Sequence, residues 1–146
     1  MIVYGDTSGL VKLVIDEIGS DQMDSLYSRA DIVAAARIAY AELRAALAAL
    51  ARAGRIARSQ LPRVREEAEE VWNGVSPIEV DSSLVQRAGE LAEEHYLFGY
   101  DAVHLAALQR LAEPGGCLLA SWDSELRRAA RALGYGLYPD SAVGLR

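Results

Sequence analysis

Apolar positions along the chain fall into short runs and long periodic stretches, and the alternation of the two predicts the fold class. Ile2 to Gly5, Ile32 to Ala36, Ile78 to Val80 and Cys117 to Ala120 are brief apolar runs bounded by turn or capping residues, as buried strands are. Tyr135 to Tyr138 adds a fifth strand at a sheet edge. Between them lie helical patterns. Asp6, Thr7 and Ser8 offer caps for LVKLVIDE, and Ser20 caps a helix through Asp21 to Arg29. Ile38 to Ala53, rich in alanine and leucine, ends at Gly54, a natural left-handed terminator. Ser59 or Leu61 opens a helix through Pro62, with Glu66, Glu67, Glu69 and Glu70 on its solvated face and an end near Asn73-Gly74. Asp81-Ser82-Ser83 caps a helix to about Tyr96, Asp101 starts one to about Leu111, and Asp123 or Ser124 opens a last one ending at Gly134.

Short apolar strands separated by helices imply a parallel sheet covered on both faces with right-handed crossovers, an α/β doubly wound architecture. No internal repeat, low-complexity segment or linker divides the chain, so one domain is expected over residues 1–146.

Composition narrows the class. The 146 residues are 51 % hydrophobic and 25 % charged, enough to close one core. No apolar run approaches the roughly 18 residues of a membrane span, and MIVYGDTSG carries no leader pattern, so a cytoplasmic location with no membrane partner is expected. Cys117 is the only cysteine, which excludes an internal disulfide; inside CLLA it reads as a buried thiol. The formal net charge of −6 argues against a protein that coats nucleic acid through a general basic surface.

Part of that acidity sits where a ligand is expected. Open α/β sheets bind ligands beyond the carboxyl ends of their strands. Asp6 follows IVYG and Asp123 follows CLLASW, while Asp101 begins a helix that returns across the sheet. Glu42 lies one turn inside its helix on a face shared with Ile38, Ala39, Ala45 and Ala46, where a charge needs a metal or a buried partner. Each aspartate alone is explained by helix capping; three at one sheet edge, joined by a glutamate on an apolar face, suggest a common site. Oxygen ligands without a cysteine and histidine cluster suit Mg²⁺ or Mn²⁺ rather than zinc, and such ions act on phosphates, which points to phosphodiester hydrolysis.

The segments MIVYGDTSGLVKL, AYAELRAAL, GYDAVHLAAL and SWDSELRRAA resemble, in order and spacing, the four acidic motifs of PIN-domain ribonucleases, over nearly the whole chain. Single-domain length and the GYDAVHLA segment make it most similar to VapC-type toxins of toxin-antitoxin modules. The resemblance implies a three-layer α/β/α sandwich with a four- to five-stranded, mainly parallel sheet. It also implies Mg²⁺- or Mn²⁺-dependent endoribonuclease activity, a homodimer, and a cognate VapB-type antitoxin whose tail occupies the site. By position, Asp6, Glu42, Asp101 and Asp123 would be the catalytic, metal-holding acids, and Thr7 and Ser121 would orient carboxylates or waters beside them. Phe98 stands where many relatives carry arginine, and Gly9 where alanine is commoner.

Other residues receive plainer readings. His104, three residues after Asp101, is expected to pack, and His95 near a helix C-terminus has no assigned role. Arg44, Arg52, Arg55, Arg58, Arg63 and Arg65 fall within two consecutive helices, a possible contact for RNA or antitoxin. Trp72, Trp122 and Tyr40 read as core or dimer contacts. Two other Mg²⁺-dependent doubly wound classes fail locally: a dehalogenase-type phosphatase needs an aspartate two residues after Asp6, where Ser8 stands, and a response-regulator receiver needs a late lysine, whereas Lys12 is the only one. A stand-alone RNA-processing nuclease and a non-catalytic binding module of the same fold are the alternatives.

Overall fold

A computed structural model describes residues 1–141 of the chain; residues 142–146, the end of the expected domain, lie outside them. Five parallel strands form one sheet: β1 (Ile2–Gly5), β2 (Ile32–Ala36), β3 (Val75–Ile78), β4 (Leu118–Ala120) and β5 (Gly136–Tyr138), in the spatial order β3-β2-β1-β4-β5. The helices are α1 (Thr7–Val11), α2 (Ser20–Arg29), α3 (Ile38–Arg52), α4 (Leu61–Asn73), α5 (Ser82–His95), α6 (Gly99–Leu111) and α7 (Ser124–Ala132), with a 3₁₀ turn at Arg58–Gln60.

Strand side chains alternate between the two faces, and the core divides accordingly. Val3 and Ala120 pack with Met23 and Leu26 of α2, and Val33 and Ala35 pack with Ala39 of α3. Tyr4, Ala36 and Leu119 point the other way, against Leu105 and Leu108 of α6 and Leu126 and Ala130 of α7. The result is the expected α/β/α sandwich. Chain order reverses direction across the sheet between β1 and β4, so the switch point lies beside the ends of these two central strands.

Three local expectations are corrected. The third strand is Val75–Ile78 rather than Ile78 to Val80. Pro77 is part of it, which is tolerated because β3 is an edge strand paired only with β2. The first helix stops at Val11 instead of running through LVKLVIDE, and the chain then turns around a buried Lys12, whose Nζ donates to Glu17 Oε1 (2.9 Å) and the Ile18 carbonyl (2.7 Å) while lying 4.8 Å above the Trp122 ring. Asp101 does not cap α6: that position is Phe98, and Asp101 sits inside the first turn.

Gly9 has a packing reason. A Cβ there would stand 2.9 Å from the Ala120 carbonyl oxygen, closer than side chains tolerate, so glycine lets α1 lie against the end of β4. This close approach brings the residues after β1 and β4 together. Among the described residues no helix is long and apolar enough to cross a membrane.

Candidate active site

Asp6 leaves β1 with extended backbone and caps α1, its Oδ1 accepting from Gly9 N at 3.0 Å and from the Ser8 hydroxyl at 2.7 Å. Its other oxygen accepts from Ser121 Oγ, just beyond β4, at 2.6 Å. The same Ser121 hydroxyl accepts from Asp123 N (3.0 Å), and Asp123 caps α7 by accepting from Leu126 N (2.8 Å). Ser121 therefore ties the two aspartates at the switch point to each other, and Ser8 adds a link by accepting from Trp122 N at 2.8 Å.

Glu42 reaches the same place from α3. Its Oε1 accepts from the Thr7 hydroxyl (3.0 Å) and meets His104 Nε2 (2.7 Å). His104 is buried with its ring packed against Tyr4, as expected, and it also carries hydrogen bonds that spacing did not show: its Nδ1 lies 2.7 Å from the Tyr4 hydroxyl, which also accepts from Ala36 N at 3.1 Å. With Ala36 donating to it, the Tyr4 hydroxyl has its own proton free for Nδ1, which leaves Nε2–H to donate to Glu42 and gives the hydroxyl and both ring nitrogens a partner. Sequence spacing placed His104 one turn after Asp101 but could not show that α6 turns it toward α3; the missed signal was a polar side chain on a helix otherwise buried along Ala102, Leu105 and Leu108.

Tyr4→Phe removes the group that orients His104 and leaves the Ala36 amide without its partner. The expected result is a loss of about 1–3 kcal/mol in urea unfolding, from the unpaired buried amide, whereas an unchanged midpoint would show that the relay carries no stability.

The four acids lie close enough for the charges of three of them to act on Asp101. Asp101, 5 % exposed, is pushed up to about 7, by burial first and then by the charge of Asp123, with Asp6 and Glu42 adding and His104 opposing. Burial also raises Asp6, against the lowering effect of His104 and of the hydrogen bonds from Ser121, Ser8 and Gly9. Burial works to raise Glu42 too, but hydrogen bonds from His104 and Thr7 outweigh it and hold this carboxyl low. For His104 the hydrogen bond to Glu42 and the fields of Glu42, Asp6 and Asp101 overcome the opposing burial and raise its affinity for a proton. All four predicted acids, with Thr7 and Ser121, thus come to one edge of the sheet.

Arg127 is a further contributor that its sequence did not announce. Buried on α7, its guanidinium donates to the carbonyls of Ser121 (2.9 Å) and Pro139 (2.7 Å), pinning the segment that carries Ser121 to the exit of β5. The arginine-rich α3–α4 arm is partly committed elsewhere: Arg44 pairs with Glu69 and Arg63 with Glu67.

A parallel sheet with this strand order and an acidic cluster at its switch point define a class, and comparison with known proteins agrees. The PIN domain family model matches residues 3–132, and the chain belongs to that family. It is 39 % identical over 138 residues to Ribonuclease VapC45 of Mycobacterium tuberculosis (strain CDC 1551 / Oshkosh), a match covering 94 % of this chain and 95 % of that protein. Among solved structures, PAE2754 from Pyrobaculum aerophilum shares the fold with a TM-score of 0.70 at 20 % identity, covering 94 % of this chain and 92 % of the other. VapBC2 from Rickettsia felis, solved bound to a DNA fragment from their promoter, does so with a TM-score of 0.60 at 14 % identity, covering 94 % and 97 %.

Proposed function

We propose that this chain is a VapC-type, divalent-metal-dependent endoribonuclease, the toxin of a toxin-antitoxin pair. The observation that carries the reading is the approach of carboxylates from four separate elements, Asp6 and Asp123 joined through Ser121, Glu42 held by Thr7 and His104, and Asp101 within the field of the other three, in a chain 39 % identical to a named VapC ribonuclease.

Among the described residues no three acidic, imidazole or thiol side chains stand as a ready coordination set, so the fit rests on donor chemistry. Burial, and after it the charges of Asp123, Asp6 and Glu42, push Asp101 up to about 7, and a hard cation would relieve the repulsive part. Asp6, Glu42, Asp101 and Asp123 would hold Mg²⁺ or Mn²⁺. When bound, such an ion supplies positive charge to the phosphate oxygens and acidifies a water for attack on phosphorus.

The chain's own groups orient this chemistry. Ser121 and Ser8 fix both oxygens of Asp6, so its carboxylate cannot rotate away. His104 and Thr7 hold one oxygen of Glu42 and leave its second oxygen available for a ligand or a water. Asp101, pushed up to about 7 in the metal-free chain, would give up its proton on taking its place as a cation ligand.

The VapC relative supports a VapB-type antitoxin as partner, and the same reading takes the chain as one cytoplasmic domain acting as a homodimer. The test is cleavage of RNA by the purified full chain with Mn²⁺ or Mg²⁺. Cleavage that stops on addition of EDTA is expected; equal activity in EDTA would overturn the metal-dependent reading.

A further inference from the structure

Three aromatic side chains stand in solvent within five residues of one another at the entrance to α6: Tyr96 is 88 % exposed, Phe98 71 % and Tyr100 53 %. Phe98 is the only phenylalanine of the chain, a residue type ordinarily buried. Its ring lies parallel to that of Tyr100, with centroids 6.0 Å apart and planes within 10°. The other ring pairs of the molecule are inclined as in ordinary cores, Tyr4 with His104 at 77° and Tyr40 with Trp72 at 53°. The exposed pair is therefore stacked with its ring faces parallel, and among the described residues both rings stand open to solvent. It adjoins the acidic site: Phe98 stands at the N-terminal boundary of α6, Tyr100 lies in the first turn beside Asp101, and the charges of Asp101, Asp123 and Glu42 all reach the Tyr100 hydroxyl.

The chain's net charge of −6 leaves little general attraction for a polyanion, so a strand whose phosphate meets the four acids needs another source of affinity. Flat aromatic faces supply one that is independent of charge, because every nucleobase has a π-face to stack. We infer that Phe98 and Tyr100 form a stacking platform for an unpaired nucleobase next to the phosphate held at the acidic site. This rests on the nuclease reading, which it deepens by naming what holds the substrate.

The test is binding, measured by fluorescence anisotropy in Ca²⁺, of a labelled single-stranded oligoadenylate and of an abasic ribose-phosphate strand of equal length and charge. Wild-type full chain should bind the base-bearing strand at least about tenfold more tightly. Phe98→Ala and Tyr100→Ala should each lose most of that preference while binding the abasic strand as before, and Ile18→Ala, an exposed apolar residue elsewhere, should change neither. Equal or undetectable binding of the two strands by wild type overturns the platform. So does an equal loss on both strands in the variants. A switch from dimer to monomer in Phe98→Ala with the base preference intact would assign the surface to a second copy and likewise overturn it. Cleavage of RNA in Mn²⁺ separates the two readings: a wild type that discriminates bases but never cleaves refutes the nuclease and spares the platform, and the reverse refutes the platform alone.

Discussion

Asp6→Asn should reduce metal-dependent RNA cleavage by on the order of 10³-fold, the rate equivalent of about 4 kcal/mol of lost charge stabilisation. Asp6 accepts hydrogen bonds from Ser8, Gly9 and Ser121, and an asparagine oxygen can still cap α1 while its amide cannot accept from Ser121. The fold should therefore survive with its charge geometry spoiled. Single-turnover rates in Mn²⁺, with circular dichroism to verify folding, decide the matter. A folded Asp6→Asn protein with wild-type rates would remove Asp6 from the reaction and with it the proposed site.

The second large effect concerns stability against pH in the metal-free protein. The Asp101 carboxyl lies at about 7 in the folded chain against 3.8 when unfolded, so the native state holds a proton that the unfolded state has already released. Stability from this group is complete below about pH 4 and is lost as pH rises towards about 7. Asp6, raised by burial, acts in the same direction, and so does raised His104, whose contribution is present below its ordinary value of 6.5 and lost above its folded one. Glu42, held low, acts oppositely, adding stability above its ordinary 4.5 that is lost as pH falls. In EDTA the protein should accordingly lose stability between about pH 4 and about pH 7. Asp101→Asn should flatten that loss and raise metal-free stability near neutrality by on the order of 2 kcal/mol. Divalent metal at about a hundred times its dissociation constant should restore ~2.7 kcal/mol to wild type and less to the variant. Urea titrations across pH, with and without Mn²⁺, would measure this; identical slopes for wild type and Asp101→Asn would show that the carboxylates do not share one field.

The positions of several candidate residues were legible in the sequence. Strand-end position carried Asp6 and Asp123, which the structure places beside the switch point between β1 and β4. An apolar helix face carried Glu42, because a lone carboxylate among small side chains must find a partner, and it finds Thr7 and His104. Asp101 came chiefly through family resemblance, and its capping explanation was wrong, since Phe98 holds that position. The packing of His104 was expected, but its bond to Glu42 was not, because sequence spacing shows that two residues share a turn and not which neighbour from another helix meets them. Arg127 and Lys12 were similarly opaque: arginine and lysine are ordinarily solvated, and only the crossing of distant segments buries them against carbonyls and a tryptophan ring.

Periodicity and capping are local properties, so the sequence by itself determined the α/β alternation and most element boundaries, and it pointed to Asp6, Asp123 and Glu42 as candidates. Strand order, the all-parallel pairing, the contact that makes Gly9 necessary, and the hydrogen-bond chain from Tyr4 through His104 to Glu42 depend on segments up to a hundred residues apart. Only the packed tertiary structure, in which burial forces each polar group to find its partner, decided those.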